Sequence, residues 1–153
     1  MPLDSDFAPL ALARAALPKD APESGVFALA HVVRADEVSA LVPHANNVVI
    51  LGWIDLLAAR HGDAAGASRE DLAAVGRMWF VARHEIDYRG ESFVGDEVHL
   101  FTWIEELGRT SLRRATRVVR ATDGAELVRA TSRWALVDLA TRKPTAIAEH
   151  VRA

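Results

Sequence analysis

The stretch PHANNVVILGWIDLLAARHG, residues 43–62, decides how this chain folds. Asn46 or Asn47 stands where a side-chain oxygen can cap a helix, Gly62 stands where one can close, and the residues between are apolar around nearly the whole circumference. Such a helix is buried on most of its sides, so a sheet must wrap it. Gly52 sits inside it at a cost of about 1 kcal/mol relative to alanine, which a close backbone approach would justify. The polar loop before the helix leaves unpaired backbone N–H groups at its positive end. Those donors suit a carbonyl oxygen that gains negative charge, an oxyanion site in outline.

Outward from this helix the pattern becomes β. Residues 26–34 are short, apolar and β-branched toward their end, with Asp36-Glu37 marking the exit. After the helix, Ser68-Arg69-Glu70-Asp71 has the form of a capping box opening a brief helix that ends near Gly76. Four strand-like segments follow, at 78–88, 97–107, 111–121 and 126–138. They are joined by turn signals at 89–96, at Gly108 and at Asp123-Gly124. One strand, one long buried helix and four consecutive strands predict an α+β domain whose curled five-stranded antiparallel sheet cradles the helix. Residues 1–25 carry Pro2, Pro9, Pro18 and Pro22 and read as an irregular N-terminal arm with one helical turn near 10–17. The domain proper is then 26–153.

Composition narrows the chemistry. A chain of 153 residues supports a single core that buries about two-thirds of its unfolded surface. With 50% hydrophobic residues and a net charge of −3, neither disorder nor bulk affinity for nucleic acid is expected. The absence of cysteine removes disulfides, thiolate nucleophiles and sulfur-ligated zinc, and is compatible with a reducing compartment. Six scattered histidines make no metal-ligand set, and no glycine-rich nucleotide loop occurs, so neither a metal nor a cofactor is expected. The first residues fit neither a secretory signal nor a membrane span, and a cytoplasmic protein is the expectation.

The fragments His44-Ala45-Asn46-Asn47, Gly52-Trp53-Ile54-Asp55, Arg83-His84-Glu85-Ile86-Asp87-Tyr88, Gly95-Asp96-Glu97, 105–111 and Leu136-Val137-Asp138 carry, in this order and spacing, a family resemblance. Together they resemble the hotdog fold, and within it the 4-hydroxybenzoyl-CoA thioesterase-like group of acyl-CoA and acyl carrier protein thioesterases. The resemblance implies a homodimer or homotetramer with active sites at the subunit interface. A sheet with an exposed long strand gives that inference a physical motive, since its unpaired backbone groups need a partner.

One position departs from the family pattern. Four residues before the motif histidine, where the commonest catalytic aspartate stands, this chain has Ala40. Alanine can neither attack a thioester nor deprotonate water. Asp36 and Glu37 are near in sequence but would need a loop insertion to fill the place, and Asp55 lies more than two turns into the helix. The chemistry left is that of the oxyanion donors, with His44 as base and Asn46 or Asn47 holding the water. Set against these roles, an asparagine here is also an ordinary helix cap and His44 an ordinary loop donor. His84 shares an apolar face with Met78, Phe80, Ala82, Ile86 and Tyr88, and reads as a satisfied core or interface histidine.

Seven of the 18 basic residues lie in 109–133, opposed there only by Asp123 and Glu126. Such a surface would attract the phosphates of coenzyme A or an acidic carrier protein, although solvated strand faces explain it equally well. By resemblance, Arg89 and Arg109 are the positions for phosphate contact. An acyl pocket would be lined by Val48, Leu51, Trp53 or Phe80. Two functions follow: a thioesterase working without the loop aspartate, or a non-hydrolytic hotdog protein that binds an acyl thioester. A hydratase is disfavoured, since no carboxylate and histidine pair at the loop and helix positions it would need.

Overall fold

The computed structural model describes residues 6–12 and 17–149. Six strands form one antiparallel sheet in the order β1-β2-β4-β5-β6-β3. Their ranges are β1 Ala8–Pro9, β2 Phe27–Val32, β3 Arg77–Tyr88, β4 Glu97–Leu107, β5 Ser111–Arg120 and β6 Glu126–Asp138. Between β2 and β3 lie a 3-10 turn, Ala35–Glu37, and two helices, α1 Asn47–Ala64 and α2 Arg69–Ala74. The elements foreseen from the sequence occur in the foreseen order, and the sheet cradles α1 in the manner of a hotdog fold.

The count of strands is six rather than five, because Ala8 and Pro9 of the arm pair with Ala30 and Leu29 at the β2 edge. Proline is tolerated there because an edge strand need not donate on its outer side. The arm is tied down elsewhere too. Phe7 stacks on His31 at 4.0 Å, and Asp20 accepts from Arg117 at 2.7 Å and Arg129 at 2.9 Å. Residues 13–16, in the stretch where a helical turn is expected, lie outside the described residues.

α1 buries Ile50, Trp53, Ile54, Leu57 and Ala58 against the inner face of the sheet, beside Leu29, Leu100, Val118 and Val128. Its opposite side stays open in the single chain, with Val48 79% exposed and Leu51 at the edge of solvent. The expectation of burial on most sides therefore holds for one face only, since a single curled sheet covers one side of a helix. Leu41, Val42, Phe93 and Val94 are exposed as well, and His44 bridges to Phe93, which brings their two loops together beside the helix start.

β3 contains a bulge. Val81 pairs with Trp134 and Arg83 with Arg133, leaving Ala82 as an extra residue. The expected single face is therefore split. Trp79 and Val81 pack toward Trp134 on the inner side, and beyond the bulge the even residues His84 and Ile86 take that side, opposite Ser132 and Ala130. Met78 and Phe80 lie on the outer side. The Asp123-Gly124 turn behaves as its sequence requires: Gly124 adopts φ +69°, and Asp123 Oδ1 accepts from the Ala125 N–H.

Candidate active site

The loop before α1 is held on both sides by backbone pairing. Val38 bridges to Ala45 and His44 to Phe93, and the Ala45 N–H donates to Ser92 O at 2.8 Å. Asn46 then takes extended backbone angles, and its Oδ1 accepts from the Val49 N–H at 2.9 Å. Asn46 is therefore the helix cap, with its amide NH2 unpartnered among the described residues. The next two backbone N–H groups, of Asn47 and Val48, have no acceptor among the described residues. Both residues are exposed. Two open donors thus stand at the positive end of an 18-residue helix.

His44 is half-buried beside these donors, and its ring makes no hydrogen bond among the described residues. Ala40 is exposed on the same loop. Neither acidic neighbour fills its place. Asp36 pairs with Arg34 at 2.9 Å. Glu37 is buried, accepting from Trp53 Nε1 and bonded to His31 Nε2, each at 2.7 Å, and from the Arg34 N–H at 2.9 Å. Burial alone would raise the Glu37 carboxyl, but these donors together hold it below the usual range. Glu37 is a brace, and sequence reasoning missed it because nothing local marks a carboxylate for burial. Asp55 lies on the open side of α1 and forms a two-pronged pair with Arg69, at 2.9 and 3.2 Å.

The residues expected to hold substrate are not brought together. Trp53 is fully buried with its N–H spent on Glu37, so it lines no open pocket. Phe80, 58% exposed, lies on the outer face of β3, across the sheet from α1. Arg89 sits on the loop beside the α1 start but is bonded to Glu126 at 3.0 Å. Arg109 sits in the β4–β5 turn, at the far end of an 11-residue strand, about 35 Å away along it. One chain cannot present Arg89 and Arg109 to the same phosphate.

The basic run is largely neutralised, by its own Asp123 and Glu126 and by Asp20, Asp96, Glu105 and Glu106 from outside it, which is why it looked nearly unopposed. Arg113 pairs with Glu105 and Glu106, Arg117 with Asp20 and Glu126, Arg120 with Asp96 and Asp123, and Arg129 with Asp20 and Glu126. His84 Nδ1 is 2.6 Å from Ser132 Oγ, and its ring stands edge-on to Trp134. This is the satisfied histidine expected.

Residues 33–153 match the family model described as the acyl-ACP thioesterase N-terminal domain. The chain belongs to the acyl-ACP thioesterase family. Among relatives of this family member, a chloroplastic palmitoyl-acyl carrier protein thioesterase from Gossypium hirsutum is 29% identical over 133 residues, which is 83% of this chain and 32% of that protein. A second, from Arabidopsis thaliana, is 31% identical over 91 residues, covering 60% of this chain and 22% of the relative. The chain spans a third or less of the length of these curated relatives.

Solved structures share the fold. A 1,4-dihydroxy-2-naphthoyl-CoA thioesterase from Synechocystis superposes with a TM-score of 0.77 at 15% identity, covering 84% of this chain and 93% of the other. An acyl-ACP thioesterase from Bacteroides thetaiotaomicron gives 0.73 at 23% identity, covering 80% and 49%. These likenesses place this acyl-ACP thioesterase family member among hotdog folds.

Proposed function

We propose that the protein hydrolyses an acyl thioester at the N-terminus of α1. The observation that carries this reading is the pair of open N–H groups on Asn47 and Val48, next to His44, in a chain of the acyl-ACP thioesterase family. Water adds to the thioester carbonyl carbon while His44 takes its proton. The oxygen's negative charge is met by the two N–H groups, and collapse breaks the C–S bond, the thiolate receiving the proton from His44. The free NH2 of Asn46, or the Asn47 amide, orients the water. Acyl carrier protein is the favoured carrier because the family's curated relatives are named for it; coenzyme A thioesters are the comparison.

The protein works as a dimer in this reading. β3, the last strand of the sheet, has one edge with no strand partner among the described residues, and the open strip of Val48 and Leu51 lies on the helix face that the sheet leaves bare. A second copy would cover both. Cytoplasmic location and independence of any cofactor complete the proposal.

Ala40 favours a second reading, a protein that binds acyl thioesters without turning them over. Thiol release from a panel of short, long and aromatic acyl-CoAs and acyl carrier proteins separates the two. Saturable binding with no release above the buffer rate would reject hydrolysis.

A further inference from the structure

On the outer face of the sheet, away from α1, the cross-strand pairs Phe80–Ala135 and Met78–Val137 make an apolar strip at one end of β3 and β6. Phe80 is 58% and Met78 40% exposed. The row beyond the strip, toward the strand middles, is cationic. Arg133 stands directly opposite Arg83 of β3 and Arg113 of β5, an arrangement of like charges that destabilises a sheet. Arg113 is paired with Glu105 and Glu106. Arg83 lies 3.7 Å from Glu85 with both side chains largely in solvent, where such a pair is worth little. Arg133, exposed between them, has no carboxylate partner among the described residues.

At the other end of the strip, Arg142 and Lys143 stand on the turn that follows β6, and this turn is fixed. The Arg142 N–H donates to Asp138 O at 2.8 Å and the Asp138 N–H to Lys143 O at 2.9 Å, while Asp138 Oδ1 accepts from the Ala140 and Thr141 N–H groups at 2.9 and 3.0 Å. Arg142 holds φ +62°, the only non-glycine with positive φ among the described residues. Glycine or asparagine would sit there with less strain, and neither carries a charge. Arg142 and Lys143 are exposed and have no carboxylate partner among the described residues. Arg77, opposite Asp138 in the ladder, is 3.6 Å from its carboxylate.

An exposed apolar strip with charge at both ends has the layout of an interface, an apolar centre inside a polar rim. Around it Arg77, Arg83, Arg133, Arg142 and Lys143 meet only Glu85 and Asp138. A second copy docked on the same patch by a two-fold axis would set this positive excess against itself. The surface therefore fits an acidic occupant. From Arg133 to Asp138 β6 rises about 17 Å, which about three turns of an α-helix match.

We propose that this surface docks an acidic amphipathic helix, and that the helix belongs to the acyl carrier protein that delivers the substrate; the choice of partner rests on the hydrolytic reading above. The placement suits delivery. In the proposed dimer both α1 helices lie on one side of a continued sheet, which makes the two β3 strands antiparallel. The Arg77 end of one strand then lies beside the opposite end of the other, next to the loop that borders the α1 start. A carrier docked on one copy serves the site of the second.

Calorimetric titration of the full chain with an acyl carrier protein lacking its phosphopantetheine arm tests docking without turnover. Arg133→Glu, Arg142→Glu and Phe80→Ser alter exposed side chains outside the proposed catalytic machinery. Each should weaken binding about tenfold or more and leave the melting temperature unchanged. In the same variants kcat/KM should fall on carrier-protein thioesters and hold on the same acyl groups carried by coenzyme A. If neither thioester is hydrolysed, the hydrolytic reading fails and the titration still decides docking. No saturable binding by the wild type, wild-type affinity in the variants, or poly-glutamate bound as tightly as the carrier protein would overturn the proposal.

Discussion

The Trp53 indole N–H donates to Glu37 Oε2 at 2.7 Å, joining the middle of α1 to the turn that follows β2. The other carboxylate oxygen meets His31 and the Arg34 N–H, so one buried side chain fixes a strand, a turn and the helix together. Glu37→Ala would strand two buried donors and should destabilise the fold by about 3 kcal/mol or more. Glu37→Gln keeps an acceptor for Trp53 and should cost about half of that or less. Denaturant unfolding of both variants measures the difference, and a near-neutral Glu37→Ala would show that the brace carries little.

The cap at Asn46 offers a cleaner local test. Asn46→Ala should cost about 0.5–2 kcal/mol and Asn46→Gly only a few tenths. If turnover falls in both variants out of proportion to the shift in melting temperature, the side chain also handles water.

Acid should weaken the fold in two stages. The folded His61 sits well below its ordinary 6.5, at about 4, because burial and Arg114 disfavour its charge. Stability from keeping it neutral is complete above 6.5 and drains as pH falls toward 4. Asp20 follows. Burial pushes its carboxyl up, but Arg117 and Arg129 outweigh that and hold it at about 2, below the ordinary 3.8. Its contribution is present above 3.8 and is lost as pH falls toward 2. His61→Gln, which keeps an acceptor for Arg114, should flatten the first stage and leave the second in melting curves taken from pH 7 to 2.

Assembly can be probed on the open side of α1. Leu51→Glu adds a charge at a position already partly in solvent in the single chain, so it should leave folding intact while shifting a dimer toward monomer at micromolar concentration. Light scattering decides it, and a wild type that is itself monomeric would remove the dimer from the proposed site.

The vacant loop position can be refilled. Ala40→Asp places a carboxylate on the loop that leads to the open N–H groups of Asn47 and Val48, and a positioned general base is worth typically 10²–10⁴-fold. kcat/KM on the best thioester should rise in a variant that melts normally. If it does not, residue 40 does not face the carbonyl.

Much of this molecule was legible because its signals are local. Caps at Asn46 and Ser68, the Asp123-Gly124 turn and period-two strands each announce themselves within a few residues, and the composition of α1 declared a buried face but overstated how far round the helix it extends. What escaped depends on contacts distant in sequence. Arg117 looked free because Asp20, which neutralises it, is 97 residues away. Trp53 was read as pocket lining because its partner Glu37 lies in a different element. Phe80 and His84 were put on one face because a single extra residue in β3 has no reliable signature in the letters themselves.

That extra residue bears on how relatives of this chain should be aligned. Val81 and Arg83 already pair with consecutive residues of β6, Trp134 and Arg133, so a protein lacking a counterpart of Ala82 would keep every other side chain of the strand on its present side. It would lose only the local twist that a bulge adds. A gap placed between 85 and 88 instead would equate outward positions with inward ones, and would match His84 to a residue on the wrong side of the sheet. Position 82 is where the strand can change length without changing its meaning.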